Sequence, residues 1–233
     1  MRADVPGGRT RGVRARRGRS GMSRTIAVIG ASAGVGLNCV RVALERGHRV
    51  ISLSRRVDGL PDHPALQVLQ GSAADVRQLR PAVRGADAVV VTLGTGMDRR
   101  PTTLYTDFGR ALLQLQPELG QTPVLILTGF GAGDSAAFQG PLARLLFRLL
   151  LRAVYANKTA LEEMVQASGL NWSLARPGRL TNGTPSGPAH VQLDYRPGMK
   201  VGAVSRMAVA RFLIEQAEHP TCLHRKPALS AKA

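Results

Sequence analysis

The stretch that decides the fold runs Thr25-Ile-Ala-Val-Ile-Gly-Ala-Ser-Ala-Gly-Val-Gly-Leu37. Its first part, from Ile26 to Gly30, is apolar or small and predicts a short buried strand. The part after the glycines favours a helix, because apolar side chains recur on one helical face at Leu37, Val40 and Leu44. A strand, a glycine-rich turn and a helix N-terminus together are typical of a phosphate site.

Gly30, Gly34 and Gly36 lie in the turn between this strand and this helix. Gly30 permits a tight turn, and Gly34 and Gly36 lack the side chains that would block a pyrophosphate. The spacing Gly-x-x-x-Gly-x-Gly differs from the commonest fingerprint, Gly-x-Gly-x-x-Gly, and glycines also mark purely structural turns. The position between a strand and a helix favours nucleotide binding. The predicted cofactor contacts in this turn are Gly30, Ser32, Ala33, Gly34, Val35 and Gly36.

The chain of 233 residues suits one α/β domain and carries a net charge of +17. Residues 1–21 contain seven arginines, one aspartate and few bulky apolar residues. A segment of this kind cannot bury enough surface to order itself, so we expect a disordered basic leader over residues 1–22. The alternatives are contact with nucleic acid or an anionic surface, and translation that starts at Met22. The segment also resembles the start of an export signal, but no cleavage site follows at the right distance.

Several classes of protein are disfavoured by composition. The chain has no run of 18 apolar residues, so no membrane span is predicted. Cys39 and Cys222 lack metal or redox spacing, and the five histidines are scattered, so we expect no metal site. Unpaired cysteines fit a reducing compartment, which predicts a cytoplasmic protein. We expect a monomer or a homodimer.

Strand-like runs alternate with helical patterns along the chain, which predicts a doubly wound, mostly parallel α/β sheet with right-handed crossovers. The strands expected after the first are 48–54, 66–70, 88–94, 124–128 and 171–177. In such a sheet a ligand lies over the carboxyl ends of the strands. The further cofactor contacts predicted at these ends are Arg55, Arg56, Ser72, Ala73, Thr92, Leu93, Gly94, Thr128, Gly129, Pro177 and Leu180.

Arg55 and Arg56 follow the second strand, which is the position that selects between NAD and NADP. An acidic residue there would bind the ribose hydroxyls of NAD, whereas arginines can bind the extra phosphate of NADP. The first acidic residue after the strand is Asp58. NADP(H) is therefore favoured over NAD(H). The alternative is that both arginines are solvated surface residues of an arginine-rich protein.

Residues 142–154 form a leucine-rich helical pattern with Arg144, Arg148 and Arg152 on one stripe. We expect this helix to contribute to the core and to an interface. It could also close over the crevice or lie on a membrane surface. Further along, the pattern predicts a Gly/Pro-rich loop over 182–198 that could cover a substrate, a helix over 206–217, and a possible edge strand over 227–230.

Four parts of the sequence together point to a known family: 30–36, 54–56, 91–95 with 101–103, and 168–172 with Arg176-Pro177. They resemble the atypical short-chain dehydrogenase/reductase group with an NAD(P)H-binding domain, which includes NmrA-like proteins. They are also similar to biliverdin-IX-beta and flavin reductases. The resemblance implies a single Rossmann-type NAD(P)-binding domain over residues 23–233, with NADPH as cofactor. It also implies hydride transfer to a flavin, quinone or tetrapyrrole-like acceptor.

The chain departs from the family pattern at three positions. The family turn reads Gly-Ala-Thr-Gly-x-x-Gly, and Ala33 stands where it has its second glycine. Ser72 stands where an acidic residue is expected, and Gly129 where the flavin reductases have serine. A hydroxyl near the nicotinamide is therefore missing. The resemblance leaves the acceptor open.

Tyr155 and Lys158 are the candidate catalytic residues. Many short-chain dehydrogenases pair a tyrosine and a lysine four residues apart, so that the ammonium lowers the pKa of the phenol. Here the two residues are three apart, which still places them on one helix face. Lys158 is the stronger candidate for a cofactor or substrate contact. The alternative is a solvated lysine beside a packing tyrosine.

Three functions are compatible with these patterns. The first is an NADPH-dependent reductase that acts on a small-molecule acceptor, which the loop 182–198 favours as a substrate cover. The second is a non-catalytic NADP sensor of the NmrA-like type, which Gly129 and the Tyr155/Lys158 spacing favour. The third is nucleic-acid binding, but high charge alone predicts nonspecific binding that salt abolishes, so no specific nucleic-acid partner is expected.

Overall fold

The computed structural model describes residues 22–95, 102–138, 140, 152–184, 187–197 and 199–232. The expected leader, apart from Met22, lies outside the described residues, as do residues 142–151 of the leucine-rich helix. The α-helices in the described ranges are α1 (Gly34–Glu45), α2 (Val76–Val83), α3 (Leu104–Gln114), α4 (Gln116–Leu119), α5 (Arg152–Gln166) and α6 (Arg206–Glu218), and a 3₁₀ helix covers Gly133–Phe138. The strands are β1 (Thr25–Ile29), β2 (Arg49–Ser54), β3 (Leu66–Gln70), β4 (Ala88–Val91), β5 (Pro123–Leu127), β6 (Asn171–Pro177), β7 (Leu180–Thr181), β8 (His190–Gln192), β9 (Val204–Ser205) and β10 (Ala228–Ser230).

The main sheet has the strand order β3-β2-β1-β4-β5-β6-β10-β8. All neighbouring strands are parallel except β10 and β8, which are antiparallel. β7 and β9 form a separate parallel pair. The predicted doubly wound, mostly parallel sheet of Rossmann type is therefore confirmed. The order reverses between β1 and β4, which is the point where such sheets bind their ligands.

Two expectations about the end of the chain were wrong. β10 is an interior strand rather than an edge strand, because it lies between β6 and β8 with Ala228 and Leu229 fully buried. The predicted loop 182–198 contains β8, which pairs with β10 in register from Gln192 opposite Ala228. Both strands have only three residues, which is too short for an alternating apolar pattern to show.

The sheet separates two layers of core. α1 and α6 pack on one face around residues such as Val40 and Leu213. α2, α3 and α5 pack on the other face around residues such as Phe108 and Leu161. Strands covered on both faces must be apolar throughout, and all four residues of β4 are buried accordingly. In the described ranges no helix is both long and apolar enough to span a bilayer.

Candidate functional site

The glycine-rich turn joins the end of β1 to the start of α1. Gly30 has a φ of +88°, and a Cβ on it would lie 2.9 Å from the carbonyl oxygen of Thr92. A Cβ on Gly36 would overlap the carbonyl oxygen of Gly30 and lie 2.5 Å from Oγ1 of Thr92. Glycine is thus required at position 36 by the close packing of α1 against the strand ends, in addition to the room for a pyrophosphate that the sequence predicts.

We expect Gly36→Ala to lower the free energy of unfolding by about 1–3 kcal/mol, the usual cost of overpacking. Alanine is intrinsically better than glycine in a helix by up to about 1 kcal/mol, but the overlapping atoms here belong to backbone that cannot move aside. Urea denaturation measures the change. Gly202→Ala is the matched control, because a Cβ there would meet nothing within 4 Å. Equal stability of the two variants would contradict the packing argument.

The first turn of α1 is not capped by a side chain. Its N-cap residue is Ala33, which forms no side-chain cap hydrogen bond. In α2 and α6, by contrast, Asp75 and Ser205 accept hydrogen bonds from backbone N–H groups of the first turn. A helix N-terminus without such a cap leaves N–H donors that can bind an anion. Gly34, with a φ of +58°, begins α1 at this point.

The end of β2 lies beside the same turn. The backbone N–H of Ser32 donates to Oγ of Ser54 at 3.1 Å, which ties the turn to the last residue of β2. Arg55 and Arg56 come directly after Ser54, and both are exposed. Two guanidinium groups are therefore available at the strand end where the ribose of a bound dinucleotide is expected.

At the ends of β3 and β4, Ser72 and Thr92 are predicted to contact the cofactor, and both form local hydrogen bonds within the protein. Oγ of Ser72 accepts from the N–H of Ala74, and the N–H of Ser72 donates to Oε1 of Gln78 at 2.6 Å. Ala73 between them is buried. At β4 the hydroxyl of Thr92 donates to the carbonyl oxygens at the end of β1, both at 3.1 Å. Leu93 and Gly94 continue from Thr92 toward the crevice, Leu93 partly buried and Gly94 exposed.

The ends of β5 and β6 lie next to each other. The N–H of Phe130 donates to the carbonyl oxygen of Pro177 at 2.9 Å, so the residues after both strands share one site. Leu180 follows in β7 and is partly buried. A Cβ at Gly129 would lie only 2.8 Å from the phenolic oxygen of Tyr155. The phenol of Tyr155 thus lies where the resemblance expects a serine side chain.

Lys158 lies between two aromatic rings and a backbone carbonyl. Its Nζ donates to the carbonyl oxygen of Thr128 at 2.6 Å. The same Nζ is 5.1 Å from the ring centroid of Tyr155 and 5.4 Å from that of Tyr105. Both distances suit a cation–π contact. The structure therefore brings Tyr155 and Lys158 together at the end of β5, despite their spacing of three.

Burial changes the acidity of these groups. It lowers the pKa of Lys158 to about 8, an effect that the negative charge of Glu162 partly opposes. It raises the pKa of Tyr155 to about 12, and Glu162 adds to that rise. At neutral pH both groups hold a proton, and only the ammonium loses it within the physiological range.

A buried ion pair that the sequence reasoning missed lies beneath Lys158. Arg176 binds Glu162 through Nη2 to Oε2 at 2.6 Å and through Nε to Oε1 at 3.1 Å, and both side chains are fully buried. Oε1 of Glu162 also accepts from the hydroxyl of Thr128 at 2.6 Å. Burial alone would lower the pKa of Arg176, but the bonds to Glu162 hold it above its ordinary value.

The ion pair continues toward the surface. Nη1 of Arg176 lies 2.5 Å from Oδ1 of Asp134, whose other oxygen binds Nζ of Lys226 at 2.5 Å. The ring of Tyr195 lies over the guanidinium of Arg176, with 5.8 Å from ring centroid to Cζ. The signal that could have revealed Glu162 is its place four residues after Lys158, on the helix stripe that carries Leu161 and Val165. Within the ranges described above, no group of three His, Cys, Asp or Glu could hold a metal ion.

Comparison with known proteins agrees with this geometry. The anaerobilin reductase ChuY of Escherichia coli O157:H7 is 25% identical, with a TM-score of 0.70 over 88% of this chain and 96% of that chain. A short-chain dehydrogenase/reductase of Veillonella parvula, solved in complex with NADP, is 17% identical and shares the fold, with a TM-score of 0.75 over 91% of this chain and 96% of that chain. An uncharacterised chloroplastic protein of Arabidopsis thaliana is 25% identical over 203 residues, which are 83% of this chain and 71% of that protein.

The family profile described as NAD(P)H-binding matches residues 30–220. The matched region begins at Gly30, the first glycine of the turn, and extends beyond α6. It therefore contains the strand ends, the arginines after β2 and the Tyr155/Lys158 pair. The chain shares its Rossmann-type fold with ChuY and the Veillonella parvula protein, and it belongs to the NAD(P)H-binding family.

Proposed function

We propose that this protein is an NADPH-dependent oxidoreductase that transfers a hydride to a flavin, quinone or tetrapyrrole-like acceptor. The observation that carries the proposal is the Tyr155–Lys158 pair beside Gly129, at the carboxyl end of β5. The similarity to ChuY, an anaerobilin reductase, supports a tetrapyrrole-like acceptor in particular.

The residues present fit a bound dinucleotide. The uncapped start of α1 offers N–H groups to a pyrophosphate, and Gly34 places no side chain of its own at that point. Arg55 and Arg56 would bind the 2′-phosphate of NADPH, and the residues around Gly129 would hold the nicotinamide end. When bound, NADPH supplies the hydride.

The protein's own part in the chemistry is to orient the acceptor and to supply a proton. Hydride transfer to a carbon or nitrogen of the acceptor leaves it with a negative charge, which a proton then neutralises. The ammonium of Lys158, whose pKa burial lowers to about 8, is the proton source at the end of β5. The phenol of Tyr155 lies beside it and would bind the acceptor as a hydrogen-bond donor.

A non-catalytic NADP sensor is the second candidate function. The observation that favours it is the hydrogen bond from Lys158 to the carbonyl oxygen of Thr128, which a purely structural lysine would also form. The two functions differ in turnover and agree in cofactor binding.

Titration of the purified protein with NADPH and NADH, followed by NADPH oxidation with FMN, a quinone and biliverdin, tests the proposal. Binding with turnover on any of these acceptors is the expected result. Binding without turnover would favour the sensor. If neither NADPH nor NADH binds, both candidate functions are overturned.

The preference for NADPH has its own test in the double variant Arg55→Ala/Arg56→Ala. A hydrogen bond to a charged group contributes about 1.5–3 kcal/mol, so we expect NADPH affinity to fall roughly 10- to 100-fold. Affinity for NADH should not change, because NADH lacks the 2′-phosphate. Arg84→Ala is the matched control, since Arg84 is an exposed arginine in the connection from α2 to the amino end of β4, away from the carboxyl ends of the strands. An equal loss for both nucleotides would contradict the assignment.

A further inference from the structure

Arg206, the first residue of α6, lies against the glycine-rich turn. Its Nε and Cδ are 3.6 and 3.7 Å from the position that a Cβ on Gly34 would occupy. α6 is capped by Ser205, whose hydroxyl accepts from the N–H of Ala208 at 3.1 Å. A guanidinium group from the last helix is thus placed beside the first turn of α1.

The guanidinium is held in this position from a second direction. Nη1 of Arg206 donates to Oδ1 of Asn182 at 2.7 Å. Asn182 comes directly after β7, and Arg206 comes directly after β9. Since β7 and β9 pair in register, with Thr181 opposite Ser205, the two side chains are brought together by paired backbone. An arginine restrained in this way loses less conformational entropy when it binds a ligand.

The two residues line a groove that also reaches α1. The groove has a volume of about 480 Å³, and its walls include Gly34, Asn38, Asn182, Arg206 and Arg211. Among the described residues that line it there is no aspartate or glutamate. Nor does either arginine form an ion pair with a carboxylate in the part of the chain that the structure describes. The groove therefore presents positive charge and amide groups without a neutralising partner, which suits an anion.

We infer that Arg206 binds the pyrophosphate of the dinucleotide and that Asn182 positions its guanidinium for that contact. The inference rests on the dinucleotide binding of the proposed function and adds a contact from the opposite end of the chain. Nη1 is engaged by Asn182, so Nε and Nη2 remain to donate to phosphate oxygens in a paired arrangement. The N–H groups of α1 bind the pyrophosphate from one side, and Arg206 binds it from the other.

This role differs from that of Arg55 and Arg56 in a measurable way. Both NADPH and NADH contain the pyrophosphate, whereas only NADPH contains the 2′-phosphate. Loss of Arg206 should therefore weaken binding of the two nucleotides by the same factor, which we expect to be roughly 10- to 100-fold for one charged hydrogen-bonding group. Loss of the arginines after β2 should weaken NADPH binding alone.

The test measures the affinity of four variants for each nucleotide by titration monitored by fluorescence. The variants are Arg206→Ala, Arg206→Lys, Asn182→Ala and the control Arg84→Ala. We expect Arg206→Ala to lose affinity for both nucleotides equally, Arg206→Lys to recover part of it, and Asn182→Ala to lose a smaller part. Thermal denaturation of each variant without nucleotide checks that the fold is intact, as expected for a partly exposed side chain.

Two results would overturn the inference while leaving the proposed function in place. One is wild-type affinity of Arg206→Ala for both nucleotides. The other is a loss restricted to NADPH, which would assign Arg206 to the 2′-phosphate. If the unsubstituted protein binds neither nucleotide, the proposed function fails first and the inference fails with it.

Discussion

Replacing Lys158 with methionine should lower the rate of NADPH oxidation on the order of 10²- to 10⁴-fold, the usual contribution of a positioned proton donor. Methionine keeps the unbranched shape of the side chain between the rings of Tyr105 and Tyr155 but removes the ammonium. Affinity for NADPH should change little, because the pyrophosphate and the 2′-phosphate are bound elsewhere. Steady-state kinetics and nucleotide titration measure the two effects separately.

The same lysine predicts a pH dependence. Its pKa is lowered to about 8 by burial, so the ammonium is present below that pH and is lost as the pH rises through it. Turnover by the unsubstituted protein should therefore fall above pH 8, whereas the residual turnover of Lys158→Met should be independent of pH in that range. Tyr155 has a pKa of about 12 and keeps its proton throughout. A profile that is the same in both proteins would show that Lys158 is not the proton donor.

Replacing Glu162 with alanine should lower the free energy of unfolding by about 3–5 kcal/mol, because it removes the buried carboxylate that binds two nitrogens of Arg176. The fully buried guanidinium would then keep only the half-exposed carboxylate of Asp134 as an ion-pair partner. Urea denaturation measures the change. Asp107→Ala is the matched control, since its pair with Arg110 is exposed and should contribute less than about 1 kcal/mol.

The variant Glu162→Gln separates stability from function at the same position. It keeps the size of the side chain and removes the charge that raises the pKa of Lys158. The fall in turnover should then begin at a lower pH than in the unsubstituted protein. If Glu162→Ala and the exposed control Asp107→Ala lower the free energy of unfolding by similar amounts, the assignment of Glu162–Arg176 as a stabilising buried ion pair is contradicted.

The elements with long apolar runs were predictable, and the short ones were not. β1, the turn and α1 follow from one stretch because a continuous apolar run, glycines and helical periodicity all occur in it. β4 was equally clear, since a strand buried on both faces has no polar residue to interrupt it. β8 lies between glycines and prolines, and only its pairing with β10 makes it a strand. That partner lies more than 30 residues further along the chain, where local patterns carry no information about it.

The sequence names more residues for the expected phosphate-facing half of the candidate site than for the other half, and their contacts with a cofactor stay predictions. Binding of phosphate groups would explain both the glycines and the arginines at strand ends, and the strand order brings those ends together. Glu162 was missed because a charged residue on a helix is ordinarily taken as exposed. Its burial depends on Arg176, which reaches it from a strand. The phenol beside Gly129 could not be foreseen from the local sequence either, since it comes from a residue 26 positions later.

The sheet that divides the core into two layers also separates the two groups of residues in the candidate site. Arg206 and the start of α1 belong to one layer, whereas Tyr155, Lys158 and Glu162 belong to the other. Substitutions in separate layers that share no partners combine additively. Under the proposed function, substitutions in α5 and its neighbours would therefore change the choice of acceptor without changing the affinity for the nucleotide.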